Sequence, residues 1–428
     1  MTQPTAPRHA VVPLPSGNGL RLLPRSANAN ARRLLWAKGL RAVADGYVSI
    51  LLPAYLLELG FSAFQTGVLT TATLLGSAAL TLFAGTLTNH VGHRAPLLGA
   101  SVLMFLTGIG FASLQTFWPL LLVAFVGTLN PSSGDVSIFL PLEQSLLSQS
   151  VADDERTSLL ARYSVVSAVL SGFGTLLAGL PEFVARWADA NLLGAMRAMF
   201  LLYALIGLAA AAIYRQLFEP QPDVAAAEPR APLGPSRNVV YRLAALFSID
   251  AFGGGFLIQT ILALWLLRTY GLSVVATASL FFWSNLLSAA SYLAAPAIAR
   301  RIGLIRTMVF THLPSNLCLI AIPFTADLHA TVVLLLLRSL LSQMDVPTRG
   351  SYVMAVVTPP ERPAAAAVTS VPRSLAAAIS PTLAGYLLTV SAFGWPLLIG
   401  GTLKSIYDLM LLVMFQHVRP PEERHVEN

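Results

Sequence analysis

The chain has 428 residues, of which 55% are hydrophobic and 11% charged, where soluble domains carry about 25% charged residues. That balance excludes an ordinary soluble globular protein. The net charge of +7 gathers in short connecting segments, so it reads as membrane topology and not as a nucleic-acid surface. One cysteine, Cys318, excludes an intrachain disulfide and a thiolate metal cluster and reads as a small apolar packing residue.

Residues 1–32 are rich in Pro, Ser, Asn and Arg and lack a long apolar core, so they are expected to form a disordered cytoplasmic tail and not a signal peptide. Apolar runs then recur between polar breaks. A hydrocarbon core about 30 Å thick takes about 20 apolar residues per helix. Twelve spans result: 33–58, 64–88, 95–114, 117–148, 157–181, 196–216, 240–268, 273–299, 305–325, 330–357, 363–390 and 395–416. Their length and lack of strict alternation favour helices over barrel strands, and in lipid only helices or closed barrels satisfy their own backbone. The expected fold class is an all-α polytopic membrane protein. Six spans fall in 33–216 and six in 240–416, with a Pro-rich cytoplasmic linker at 217–239 and a cytoplasmic tail at 417–428. Basic residues crowd one side, from Arg32, Arg33, Lys38 and Arg41 to Arg300, Arg301 and Arg419, and the positive-inside rule puts both termini in the cytoplasm.

The halves repeat. Setting Pro141 on Pro347 aligns PLEQS (141–145) with PTRGS (347–351), Glu155-Arg156 with Glu361-Arg362, and LAG (177–179) with LAG (383–385) at one offset of 206. Gly92 meets Gly303 at an offset of 211, and Asp45 meets Asp250 once residues are inserted around Gly253-Gly254-Gly255. Two parallel six-helix repeats are a frame for alternating access about a midplane site.

The loop GTLTNHVGHR (85–94) resembles the signature of the major facilitator superfamily: Gly85, Leu87, Gly92 and Arg94 match, Asn89 stands in place of the usual Asp, and His90 and His93 replace usual Arg or Lys. The resemblance covers about residues 33–416. It implies a secondary transporter of two pseudo-symmetric six-helix bundles, with a cavity lined chiefly by the first, fourth, seventh and tenth spans. The departures imply a weakened or partly pH-dependent salt-bridge gate. The region from Gln343 to Leu387 looks like that of uncharacterised bacterial permeases, which implies a multi-pass protein of the inner membrane, functional as a monomer.

Ionisable residues at membrane depth are costly and usually face a cavity or a partner. Asp45 and Asp250 lie near mid-span and are expected to exchange protons or bind substrate; the structural alternatives are a local pair of Asp45 with Arg41 and a capping role for Asp250 at the glycines. Asp135, in NPSSGDVS (130–137), adds an acid where Pro131 and Gly134 can break the fourth span, a frequent mark of a binding site. Asp345 and Arg349 share a helix face at i, i+4, and Pro347 between them perturbs the helix. The repeat sets Glu143 against Arg349 with opposite sign, which reads as a cytoplasmic gate; an anion anchor at Arg349 and a purely structural pair remain open. Tyr47, Tyr55 and Trp283 are aromatic candidates for the cavity, against the commoner interfacial or lipid-facing placement. Arg338 interrupts an apolar run without an evident reason.

No P-loop, G-x-x-x-x-G-K-[ST], occurs, so neither nucleotide-driven pumping nor an enzyme is expected, and no cofactor or metal is implied. The favoured expectation is proton-coupled efflux of a small amphipathic compound, with cations among the candidates. The first alternative is uptake or exchange of an organic anion held by Arg349, with Arg338; the second is a non-transporting membrane sensor or assembly factor.

Overall fold

A computed structural model describes residue 23 and residues 26–132, 137–151, 153–218, 232–325 and 327–416. The all-α expectation holds, since the described residues contain helices and no strand. The first half comprises α1 (Ala29–Glu58), α2 (Ala63–Val91), α3 (Arg94–Ser113), α4 (Phe117–Val126), α5 (Phe139–Ser148), α6 (Asp153–Leu177), α7 (Leu180–Trp187) and α8 (Leu192–Tyr214). The second comprises α9 (Arg237–Gly255), α10 (Gln259–Tyr270), α11 (Val274–Ile302), α12 (Leu304–Ala321), α13 (Leu328–Leu341), α14 (Asp345–Val356), α15 (Arg362–Val390) and α16 (Trp395–Phe415), with short 3₁₀ turns at Ile322–Phe324 and Pro359–Glu361.

Local chemistry sets these bounds. Asn28, Ser62, Asn191, Ser273 and Asp327 cap their helices, each side chain accepting a backbone N–H that the first turn would leave orphaned. The fourth span is broken between Val126 and Phe139, around Pro131. The seventh breaks after Gly255, and the tenth between Leu341 and Asp345, with Pro347 in the first turn of α14 where its missing N–H costs least. Among the described residues ten segments are long and apolar enough to cross a membrane, with Phe117–Val126 a shorter apolar helix. The eleventh span, α15, has the length at 29 residues but carries Pro372 and Pro381.

The repeat is visible in the helix bounds. Both ends of α11 lie 211 residues after those of α2, and each helix ends on a glycine at positive φ, Gly92 (+73°) and Gly303 (+87°), a conformation that glycine adopts without penalty. The start of α14 lies 206 residues after that of α5.

Within the first half α1 packs on α6 and α8, α3 on α8, and α2 on α4; within the second, α9 packs on α15 and α16, α12 on α16 and α13, and α11 on α13. Between the halves α2 packs on α15, α6 on α11, and α1 on α10. Small residues allow this approach: a Cβ on Gly67 would lie 2.3 Å from the Pro381 carbonyl oxygen, and one on Gly385 would lie 2.4 Å from that of Ala63. Hydrogen bonds reinforce it. Thr260 Oγ1 donates to the carbonyls of Ser49 (3.0 Å) and Pro131 (2.9 Å), Phe64 N to Thr389 Oγ1 (3.0 Å), Thr175 Oγ1 to the Ala278 carbonyl (3.2 Å), and Val274 N to Glu182 Oε1 (2.9 Å). Those of Phe64, Thr175 and Val274 lie toward the far face, the end of the bundle away from Ala29 and Phe415, which mark the terminal face, while those of Thr260 lie deeper, at the break of the fourth span. The outer surface exposes large apolar side chains, among them Phe83, Trp118, Leu205 and Val413, as contact with lipid requires.

Candidate functional site

Between the halves lies a cavity of about 420 Å³. Its wall draws Lys38 from α1, Gln144 from α5, Ser164 and Ser167 from α6, and a larger share from α9 to α16. The wall is polar, with serines at 284, 288, 339 and 342 and amides at Gln259, Asn285 and Gln343. It is also cationic: among the described residues Lys38, Arg338, Arg349, Arg373 and Lys404 line it, against the carboxylates Asp250 and Asp345.

The carboxylates are engaged. Asp250, at the middle of the seventh span because α9 runs on to the glycines, accepts from Lys404 Nζ of α16 at 2.5 Å and lies 3.1 Å from Arg349 Nη2 of α14. Arg349 also pairs with Asp345, as the i, i+4 spacing led one to expect. The guanidinium stands 5.4 Å over the Phe247 ring. Its Nε and Nη1 have no hydrogen-bond partner. Behind this cluster His312 Nδ1 lies 2.9 Å from Asp408 Oδ1, and Asn316 Nδ2 donates to Asp408 Oδ2 at 2.8 Å.

Glu143 stands elsewhere. It is fully buried in the first half, where Arg41 pairs with it and Tyr163 and Tyr214 donate to it at 2.5 and 2.6 Å. The expected pair of Glu143 with Arg349 across the halves is therefore not formed in this structure. Each residue has found its counter-charge within its own half, because a buried charge is costly unless paired at once. Arg41 is likewise spoken for by Glu143 and by Tyr214, to whose hydroxyl its Nε donates at 3.1 Å. Asp45 is buried on α1 among Arg41, Lys38 and Asn130, and does not line the cavity.

The aromatic candidates do not reach the cavity. Tyr47 and Tyr55 are wholly buried, their hydroxyls donating to the carbonyls of Met199 (3.1 Å) and Phe111 (2.7 Å). Each ring fills a helix interface while its polar end satisfies a carbonyl. Trp283 is 54% exposed on the outer surface. Asp135 lies outside the described residues, as does the side chain of Asn89. Of the remaining signature-loop residues, Gly85 is exposed, Gly92 closes α2 at positive φ, and Arg94 opens α3. Beside them His93 Nε2 lies 2.9 Å from Ser145 Oγ of α5.

Sequence reasoning missed His312, Lys404 and Asp408. The last two were detectable as an acid and a base in an apolar 21-residue helix, but their i, i+4 spacing would have paired them with each other, whereas they face different partners. Arg338, without a role in the sequence, enters the cavity wall; its Nε is buried without a hydrogen-bond partner, and no carboxylate among the described residues pairs with it. Gln259 Nε2 and Asn285 Nδ2 are likewise unpartnered in the same wall.

The family model of the Major Facilitator Superfamily matches residues 34–344. An uncharacterized membrane protein of Saccharomyces cerevisiae is 24% identical over 418 residues, covering 90% of this chain and 93% of the yeast protein. Among solved structures, the nucleoside transporter NupG superposes with a TM-score of 0.68 at 14% identity, covering 91% of this chain and 100% of NupG. The human organic anion transporter MFSD10 (TETRAN) gives 0.63 at 16% identity, with 91% and 100% covered. The xylose transporter XylE from E. coli, in a partially occluded inward open conformation, gives 0.66 at 13% identity, with 92% and 99% covered. These likenesses are of fold.

Proposed function

The chain belongs to the Major Facilitator Superfamily and is a multi-pass secondary transporter, and we propose that it carries a small organic anion by alternating access. The observation that carries this reading is Arg338, a cation in the cavity wall with no carboxylate partner among the described residues and a buried, unpartnered Nε. Arginine at membrane depth is retained against a cost of about 2.5–3.5 kcal/mol on insertion scales, and a planar guanidinium fits a carboxylate, sulfonate or phosphate. The Arg349 Nε and Nη1, Gln259 Nε2 and Asn285 Nδ2 add donors without partners, so the wall offers chiefly N–H groups to an acceptor-rich cargo.

A cationic cargo would need a carboxylate of its own, and both Asp250 and Asp345 are already held by cations of their own half. The anchor suggested at Arg349 is thus shared with Arg338, which carries the charge that is not balanced locally. The human neighbour is named an organic anion transporter, but at 16% identity that likeness speaks only to fold, and the cavity carries the argument. The basic bias of the loops supports a cytoplasmic terminal face. With the halves joined at the far face, the cavity then belongs to an inward-facing state.

The test is thermal stabilisation of the purified chain by benzenesulfonate, an anion at every working pH, against neutral benzamide and tetraethylammonium. Benzenesulfonate is expected to stabilise the wild type and the Arg338→Lys variant and to lose at least about tenfold in affinity, or about 1.4 kcal/mol, in Arg338→Gln. Stabilisation by tetraethylammonium instead, unaffected by Arg338→Gln, would sink the anion reading.

A further inference from the structure

Among side chains in direct contact, the second-half cluster is one positive charge short; the Arg338 guanidinium stands in the same cavity wall but pairs with none of its carboxylates. Three carboxylates, Asp250, Asp345 and Asp408, meet two fixed cations, and both cations are committed: Arg349 to Asp345 and Asp250, Lys404 to Asp250. Asp408, wholly buried, is left with His312 and Asn316. The first half shows what balance looks like, since Lys38 and Arg41 stand against Asp45 and Glu143 with no histidine in the group. An uncompensated carboxylate in a low-dielectric wall is costly, and one proton on His312 removes the deficit.

Among the described residues, the charged and titratable groups that the elements packed around His312 bring to the cluster and the cavity are these. From α16 they are Lys404, Asp408 and Tyr407, whose ring centroid is 6.3 Å from that of His312. From α14 they are Asp345 and Arg349, and from α9 Asp250. From α13 comes Arg338, whose carbonyl accepts from Ser315 Oγ on α12 at 3.3 Å. From α11 comes Tyr292, which donates to Gln343 Oε1 at 2.9 Å. The 3₁₀ turn Ile322–Phe324 that ends the ninth span has no titratable group.

We propose that the His312–Asp408 pair is the proton-binding site of this transporter, exchanging one proton with water in the cavity. In the neutral form Nδ1–H donates to Asp408, while Nε2 has no hydrogen-bond partner among the described residues and the ring lines the cavity. The contact with the carboxylate fixes that tautomer. A hydronium in the cavity gives its proton to Nε2 and leaves as water; the imidazolium keeps its Nδ1–H bond to Asp408, and the cluster becomes neutral. On deprotonation Asp408, one turn from Lys404 on α16, competes with Asp250 for that ammonium. The proton makes the cavity more positive by one charge, so proton and anion favour each other's binding. That last coupling rests on the anionic-cargo reading; the proton site does not.

The test therefore adds no cargo. The full chain, ¹⁵N-labelled at its seven histidines and held in nanodiscs, is titrated by NMR, and the resonance missing from His312→Gln identifies His312. It is expected to pass from the Nδ1-protonated neutral pattern to the imidazolium pattern as the sample is acidified, and Asp408→Asn is expected to alter that change. Should His312→Gln fail to fold, Asn316→Ala identifies the resonance by its selective shift, since it touches the same pair. A His312 signal that stays in one form on acidification, or a titration indifferent to Asp408→Asn, overturns the proposal whatever the cargo proves to be.

Discussion

Arg41 of α1 and Glu143 of α5 form an ion pair sealed within the first half, with side chains 2% and 0% exposed. Two tyrosines, Tyr163 and Tyr214, complete the carboxylate's hydrogen bonding. The pair fixes the broken fourth span to the first, so it acts on the packing of the half and not on the cavity surface. Breaking it by Arg41→Met should destabilise the protein by about 3–5 kcal/mol, because the remaining charge is stranded. The double variant Arg41→Met/Glu143→Leu should recover much of that loss. Thermal unfolding in detergent, followed by tryptophan fluorescence, measures both; equal loss in the single and double variants would contradict this account.

Asp250 holds Lys404 and Arg349 together in the second half. Asp250→Asn strands the Lys404 ammonium, while Arg349 keeps Asp345. A loss of about 3–5 kcal/mol is expected, relieved by adding Lys404→Met. If the stability of Asp250→Asn matches wild type, the Lys404 contact is not a stabilising one.

The far-face seam is tight where α2 crosses α15, since both Gly67 and Gly385 meet backbone. Gly385→Leu forces those helices apart, and Thr260→Val removes two hydrogen bonds between the halves. Both should shift the population toward a state open at the far face. In a Cys318→Ser background, a cysteine placed at Ser49 should be labelled faster by an impermeant maleimide applied from that side. Unchanged labelling in both variants would mean the seam does not hold the closure.

Glu361, in the turn outside the spans, accepts from Thr358 Oγ1 (2.5 Å), Gly234 N (2.5 Å) and Ser236 Oγ (2.8 Å), tying the described end of the linker to the start of α15. These donors, Thr358 foremost, hold its carboxyl down from 4.5 to about 2. Because the folded value is the lower one, the latch contributes fully above about pH 4.5 and is lost as pH falls through about 2. The melting-temperature gap between wild type and Glu361→Ala should be flat from about pH 8 to pH 5 and narrow in stronger acid. A gap that widens in acid would show that the ionised form is not the one held.

Hydropathy determined the helix class and the span positions, because a segment's fitness for the bilayer is a property of the segment, and short motifs matching at fixed offsets disclosed the repeat. Breaks at Pro131, at the triple glycine and beside Pro347 were legible for the same reason, being local limits on the backbone. Charge partners were not. Three buried pairs share the i, i+4 spacing, yet of these only Asp345 and Arg349 bond to each other; Arg41 turns to Glu143 and leaves Asp45, and Lys404 and Asp408 divide between Asp250 and His312. Helix rotation and the distance between neighbouring helices decide which of several reachable partners is met, and those depend on packing across residues more than ninety positions apart. The tertiary structure therefore decided that Tyr47 and Tyr55 are packing residues, that Arg338 faces the cavity, and that a histidine stands beside the acid left without a cation.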